Sequence, residues 1–182
     1  TRLAQYSLKL YEDLEIETGQ ATGFIKCGSI QLAMTEDKVE EMRRGCALAR
    51  TFGVETEEIS PQRVRELFPL THVDDLLAGF YFPDDGRVNP ADVAQALAKG
   101  ARQRGVKIFE DTPVTELIIE NGRAVGVTTD QGEIRSEVVV LCPGMWGREF
   151  GLTNGIDIPL QAAEHYYLIS EPIDEVHNQL PI

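Results

Sequence analysis

Four consecutive apolar residues, Val138-Val139-Val140-Leu141, stand directly before Cys142-Pro143-Gly144. A strand with one wet face alternates apolar and polar side chains, so an unbroken run predicts a strand buried on both faces. Such a strand belongs inside a sheet covered by helices, and the sequence must therefore supply both. The pattern predicts a strand over Glu133–Cys142 that feeds the turn at Gly144.

Helix signals are plentiful. Leu3, Tyr6, Leu10 and Leu14 recur on one face of a first helix, and Gly19 is placed to end it. Thr35 reads as an N-cap, with Glu36 and Asp37 in the first turn, where the helix dipole favours acids. Val39, Met42, Cys46 and Ala49 line that second helix, and Gly53 stops it. Ser60-Pro61 and Asn89-Pro90 are two further starts, each a capping residue followed by proline at the first helical position. Pro69 closes the first of these, and the second carries Val93, Ala94, Leu97 and Ala101 on one side and runs to Gly105. Short strands are expected at Phe24–Cys27, Ile30–Met34, Lys107–Phe109, Val114–Glu120, Ala124–Thr129 and His165–Ser170. Asn121-Gly122 is a hairpin dipeptide; Asp84-Asp85-Gly86 and Gln131-Gly132 are turns. The fold class is mixed α/β.

Composition narrows the function. With 42% hydrophobic and 26% charged residues, there is enough apolar material to bury a core. No apolar run approaches the roughly 20 residues needed to span a bilayer, and no secretory leader pattern opens the sequence. Its first residue is Thr1, and the chain is read as cut from something longer. A net charge of −13 without a basic stripe repels phosphate backbones, so nucleic acid is not an expected partner. Cys27, Cys46 and Cys142 are odd in number and lack CxxC spacing, which argues against zinc and against a disulfide framework. They are read as small buried hydrophobes in a reducing, cytoplasmic-type compartment. His72, His165 and His177 do not have metal-ligand spacing, and no metal is expected.

Two places could carry chemistry. Pro143-Gly144-Met145-Trp146-Gly147 follows the apolar run, where ligands gather beyond strand ends in α/β sheets and a glycine lets backbone come close to a ligand. From spacing alone, an ordinary strand-to-helix turn with a core tryptophan is the reading favoured over a ligand site. In Glu164-His165-Tyr166-Tyr167, strand alternation puts His165 and Tyr167 on one face, able to line a polar pocket. A histidine satisfied by a neighbour in a half-buried strand explains the same pattern. His72 and His177 lie in polar, turn-like stretches. No GxGxxG, GxxxxGK[ST], HExxH or GxSxG occurs.

Longer stretches carry a resemblance. Gly28–Thr35, Leu67-Phe68-Pro69-Leu70 and Phe82–Pro90 resemble the dimethylglycine and sarcosine dehydrogenases, within the wider D-amino-acid-oxidase-like flavoproteins. So do Gly105–Ile108, Thr112–Thr115, Gly132, Val138–Val140, Gly144–Trp146, Pro159-Leu160 and His165-Tyr166. The resemblance implies an FAD-dependent amine dehydrogenase or oxidase that demethylates a secondary or tertiary N-methyl amino acid. It implies an FAD-binding portion over 83–151 with helix 1–18, lacking its N-terminal dinucleotide motif. That portion interleaves with a substrate domain of 20–82 and 157–182 that contains a mixed β-sheet. Val114, Gly144, Met145 and Trp146 are then cofactor-contacting residues, His165 the catalytic residue, and Tyr166 and Tyr167 substrate-binding. The chain is expected to be an internal fragment that holds little or no FAD and is inactive by itself. An electron-transfer protein or oxygen would be the acceptor. Tetrahydrofolate is a possible cofactor on a further domain, and the mitochondrial matrix is the expected location in a eukaryote. A glycine or D-amino-acid oxidase, a glycerol-3-phosphate dehydrogenase, or a non-catalytic domain that has lost its flavin are the rival readings.

Overall fold

A computed structural model describes residues Thr1–Ile182, which form two compact units. The larger comprises Thr1–Lys107 and Ser170–Ile182, the smaller Ile108–Ile169.

In the larger unit, α1 (Arg2–Thr18) ends on Gly19, whose left-handed backbone (φ 67°) lets its N–H donate to the Glu15 carbonyl. This helix packs on α4 (Pro90–Gln103) through Leu14, Val93 and Ala96, with Tyr11 and Val88 alongside. Asn89 caps α4 by accepting from the amides of Ala91 and Asp92. The buried face of α4 is Val93, Ala96 and Gly100, so the expected stripe is displaced, and Ala94 and Leu97 face outward. The reason is the neighbour: α1 packs on the side of α4 that carries Val93 and Ala96, with its Thr18 beside Gly100. Leu3 and Tyr6 of α1 are likewise exposed.

β1 (Ser29–Ala33), β2 (Glu57–Ile59) and β3 (Ala78–Phe82) form a sheet of order β1-β3-β2. α2 (Glu36–Thr51) joins β1 to β2, capped by Thr35, whose hydroxyl accepts from the Lys38 amide. Its residues Val39, Met42 and Cys46 bury against Ala33, Ala78 and Phe80. A second cluster sets Val64 of α3 (Pro61–Leu67) against Ile59 and Leu76, with Ser60 capping the helix. Both pairings are antiparallel. The mixed sheet expected here is thus antiparallel among its three strands: β1 and β2 are parallel to each other, but β3 lies between them. Phe24–Cys27 is reduced to a single bridge, Ile25 with Arg87. The final residues return to the free side of β1, where Ile30 donates to the Ile182 carbonyl and Ile182 to that of Gly28.

The smaller unit is an antiparallel meander of β4 (Val114–Glu120), β5 (Arg123–Thr129) and β6 (Gly132–Arg135). The hairpin across Val114–Thr129 is as expected, with Asn121-Gly122 as its two-residue turn between the paired Glu120 and Arg123. A 3₁₀ turn over Gly144–Trp146 leads into α5 (Gly147–Thr153). Asn154 ties α5 to β4: its Oδ1 accepts from the Leu117 amide at 2.6 Å, and its Nδ2 donates to the Phe150 carbonyl.

Two further expected strands are not formed, and another is cut short. The backbone is irregular at Lys107–Phe109 and at His165–Ser170, and β6 stops at Arg135 well short of Cys142. Val138 and Val140 are 69% and 76% exposed, so the apolar run is not covered on both faces. A strand exists through the ladder beside it, and no strand pairs with these residues. Cys142 is exposed, unlike the buried Cys27 and Cys46, for the same reason.

Candidate functional site

The uncovered run forms one wall of an open groove of about 860 Å³ in the smaller unit. Val139–Gly144 line it together with Pro113, Val114 and Val127 from the hairpin and with Trp146 and Phe150. The local causes are simple. β4 begins immediately after Pro113, which puts Val114 at the strand's mouth. Gly144 takes a left-handed backbone (φ 57°) that turns the backbone into α5, and a Cβ built there would meet no atom. Trp146 thus lands on the groove, as does Phe150 one turn later.

The structure brings together three residues singled out from the sequence: Val114, Gly144 and Trp146. Met145 lies within the same turn but is 64% exposed and does not line the groove. His165, Tyr166 and Tyr167 do not line it either; they are exposed, in a segment without strand structure. The Tyr166 hydroxyl donates to the Glu164 carboxylate at 2.6 Å, and this bond raises the phenol above its ordinary pKa. Alternation therefore assigns no shared face to His165 and Tyr167. Sequence reasoning missed Pro113, Val127 and Phe150, whose apolar side chains hold no signal separating a groove wall from a core. His72 is exposed, 3.4 Å from both Asp74 and Asp75, and His177 accepts from the Gln179 amide.

The groove suits a flat, apolar ring. Its volume is in the range of ligand clefts, and its lining is aliphatic and aromatic. No charged side chain lines it, so the lining suits the apolar part of a ligand.

A model of the FAD dependent oxidoreductase family matches residues 1–182. The chain belongs to this family. It is 45% identical over 175 residues to the mitochondrial pyruvate dehydrogenase phosphatase regulatory subunit of Mus musculus, covering 95% of this chain and 20% of that protein. It is 40% identical over 179 residues to the mitochondrial dimethylglycine dehydrogenase of Rattus norvegicus, covering 97% and 21%. Among solved structures, L-proline dehydrogenase from P. horikoshii superposes with a TM-score of 0.77 at 29% identity, over 85% of this chain and 41% of that one. The chain thus spans about a fifth of the length of the two relatives. The mixed α/β fold is that of FAD-dependent oxidases. No helix is long and apolar enough to cross a membrane.

Proposed function

We propose that the full-length protein to which this chain belongs is an FAD-dependent amine oxidoreductase that demethylates an N-methyl amino acid such as sarcosine or dimethylglycine. The observation that carries this reading is the 40% identity to dimethylglycine dehydrogenase across nearly all of the 182 residues. When bound, FAD supplies the oxidant for cleaving the substrate's C–H bond; the protein supplies orientation and electrostatics.

In this reading Val114, Gly144 and Trp146 are the ring-contacting residues, with Met145 in the same turn. Residues 83–151 with helix 1–18 form part of the FAD-binding domain, and 20–82 with 157–182 belong to the substrate domain. The packing of α1 on α4 supports grouping those two helices. His165 is the catalytic residue. An imidazole beside the substrate ammonium accepts its proton, leaving the neutral amine whose lone pair assists C–H cleavage. Tyr166 and Tyr167 flank the substrate. Reducing equivalents leave to an electron-transfer protein or to oxygen. Tetrahydrofolate, where it takes part, binds a further domain and takes the one-carbon unit. The matrix of mitochondria is the proposed location in a eukaryote.

A second reading has its own support. The 45% identity to a phosphatase regulatory subunit favours a parent that keeps the fold and serves regulation instead of oxidation. One experiment separates the two. Full-length protein is purified, its flavin absorbance is recorded, and sarcosine, dimethylglycine, glycine and a D-amino acid are mixed with it anaerobically. Bleaching by the N-methylated substrates supports the oxidoreductase reading. Bound flavin that none of these substrates reduces, or no flavin at all, supports the regulatory one.

His165→Ala, compared with His72→Ala and His177→Ala, tests the residue assignment. Flavin reduction should slow on the order of 10²-fold in His165→Ala alone, with flavin content unchanged. If all three variants reduce flavin at the parental rate, His165 has no part in the chemistry.

A further inference from the structure

We propose that Asn121 is a site of spontaneous deamidation, and that the other Asn-Gly pair of the same unit, Asn154-Gly155, is shielded from it. The reaction needs no partner but water. The Gly122 amide nitrogen gives up its proton to solvent and bonds to Asn121 Cγ. The bond from Cγ to Nδ2 breaks, and ammonia leaves with a proton from solvent. Water then opens the cyclic imide at either carbonyl, giving aspartate or isoaspartate without any change of oxidation state. Glycine is the residue that allows this approach, because it has no Cβ to block it.

The two sites share the same dipeptide and differ in every group that must move. Asn121 and Gly122 are both exposed, at the tip of the β4–β5 hairpin. The Asn121 amide group makes no hydrogen bond, and the Gly122 N–H donates to nothing. Both residues have left-handed backbones, φ 51° and 75°, so the turn must open for attack. The turn is closed by the Glu120–Arg123 pair of the ladder, and the reacting groups of Asn121 and Gly122 have no hydrogen bond of their own to break. Asn154 is half-buried and clamped at both ends of its amide, Oδ1 by the Leu117 N–H at 2.6 Å and Nδ2 by the Phe150 carbonyl at 2.8 Å. The Gly155 nitrogen that would attack already donates to the Leu152 carbonyl at 3.2 Å. Three hydrogen bonds made by the reacting groups must therefore open at Asn154-Gly155, and none made by those groups at Asn121-Gly122. At the usual net strength of such bonds, the difference is on the order of a hundredfold in rate.

The chemistry has a structural consequence. Glu120 and Arg123 are paired across the turn, and a two-residue hairpin tolerates few backbone geometries. The isoaspartyl product inserts an extra backbone carbon between them, and either product adds a negative charge beside Glu120. The edit falls on the hairpin whose first residue, Val114, lines the groove.

The test follows the two sites through time. The 182-residue protein and its full-length parent are held in mildly alkaline buffer, natively and in guanidinium chloride. They are then digested, and the peptides are mapped by mass spectrometry with fragmentation that distinguishes isoaspartate from aspartate. Natively, residue 121 should convert at least about tenfold faster than residue 154, and denaturant should bring the two rates together. Gly122→Ala should slow conversion at residue 121 and leave residue 154 unchanged. A native ratio below about tenfold, or one that guanidinium leaves unaltered, overturns the proposal.

Discussion

Gly79 lies in β3, the central strand of its sheet, opposite Leu32 on one side and Ile59 on the other. A methyl group added there would come to 2.4 Å from Val64 Cγ2 and 3.0 Å from Ile59 Cγ1. Carbon atoms rest about 3.5–4.0 Å apart, so the nearer contact is more than an ångström too close. Val64 is fully buried and Ile59 is 5% exposed, so neither can swing into solvent. Overpacking of this kind costs about 1–3 kcal/mol. Replacing glycine in a strand recovers about 0.5–1 kcal/mol by restricting the unfolded state. The net expectation for Gly79→Ala is a loss of about 1–2 kcal/mol. The mechanism makes a sharper claim. Val64→Ala removes the clashing methyl, so Gly79→Ala should cost little in a Val64→Ala background. The double variant should be more stable than the sum of the singles by about 1 kcal/mol or more. Urea unfolding followed by far-ultraviolet circular dichroism reads this, because α1–α4 all lie in the larger unit. Effects that add to within about 0.3 kcal/mol would falsify the steric argument.

Other perturbations have equally definite outcomes. Asn89→Ala removes the acceptor for two α4 amides and should lower stability by about 1 kcal/mol, whereas Asn89→Ser should retain most of it; urea midpoints decide. Glu58 takes a two-pronged hydrogen bond from Arg43, 2.9 Å from Nε and 2.7 Å from Nη2, and this bond holds its carboxyl below the usual glutamate range. Its stabilisation is therefore present at neutral pH and lost as pH falls through that lowered pKa. The stability gap between the native protein and Glu58→Gln should be small, because the pair is exposed, and should close on acidification. Asn154→Ala orphans the Leu117 amide and should destabilise the smaller unit by about 1–3 kcal/mol. The single tryptophan, Trp146, reports it by fluorescence, and an unchanged midpoint would mean that water replaces the amide fully.

What can be read from the sequence divides by range. Thr35, Ser60 and Asn89 cap their helices as expected, because capping is settled within three residues of the cap. The Asn121-Gly122 hairpin is local in the same sense. The face of α4 depends on α1, more than seventy residues earlier, and is displaced by the small residues Ala96 and Gly100. Strand expectations fail where pairing is the missing ingredient. Alternation in His165–Tyr167 and continuity in Val138–Leu141 are necessary for strands of those kinds and not sufficient, since a strand also needs a neighbour with free amides and carbonyls.

The same failure explains the site. Val139, Val140 and Leu141 have the composition of an interior, and here they are the wall of a groove. Apolar patterning reports that side groups avoid water; it does not report what they meet instead. A second strand, a helix and the flat ring of a cofactor all satisfy it equally, because the hydrophobic effect has no direction. Val114, Gly144 and Trp146 could be singled out because turn geometry and family likeness speak to them individually. Val127 and Phe150 could not, because an apolar side chain that lines a groove and one that packs in a core look alike in sequence. The groove is therefore legible where backbone shape makes it, at the Gly144 turn, and illegible where only side-group burial does.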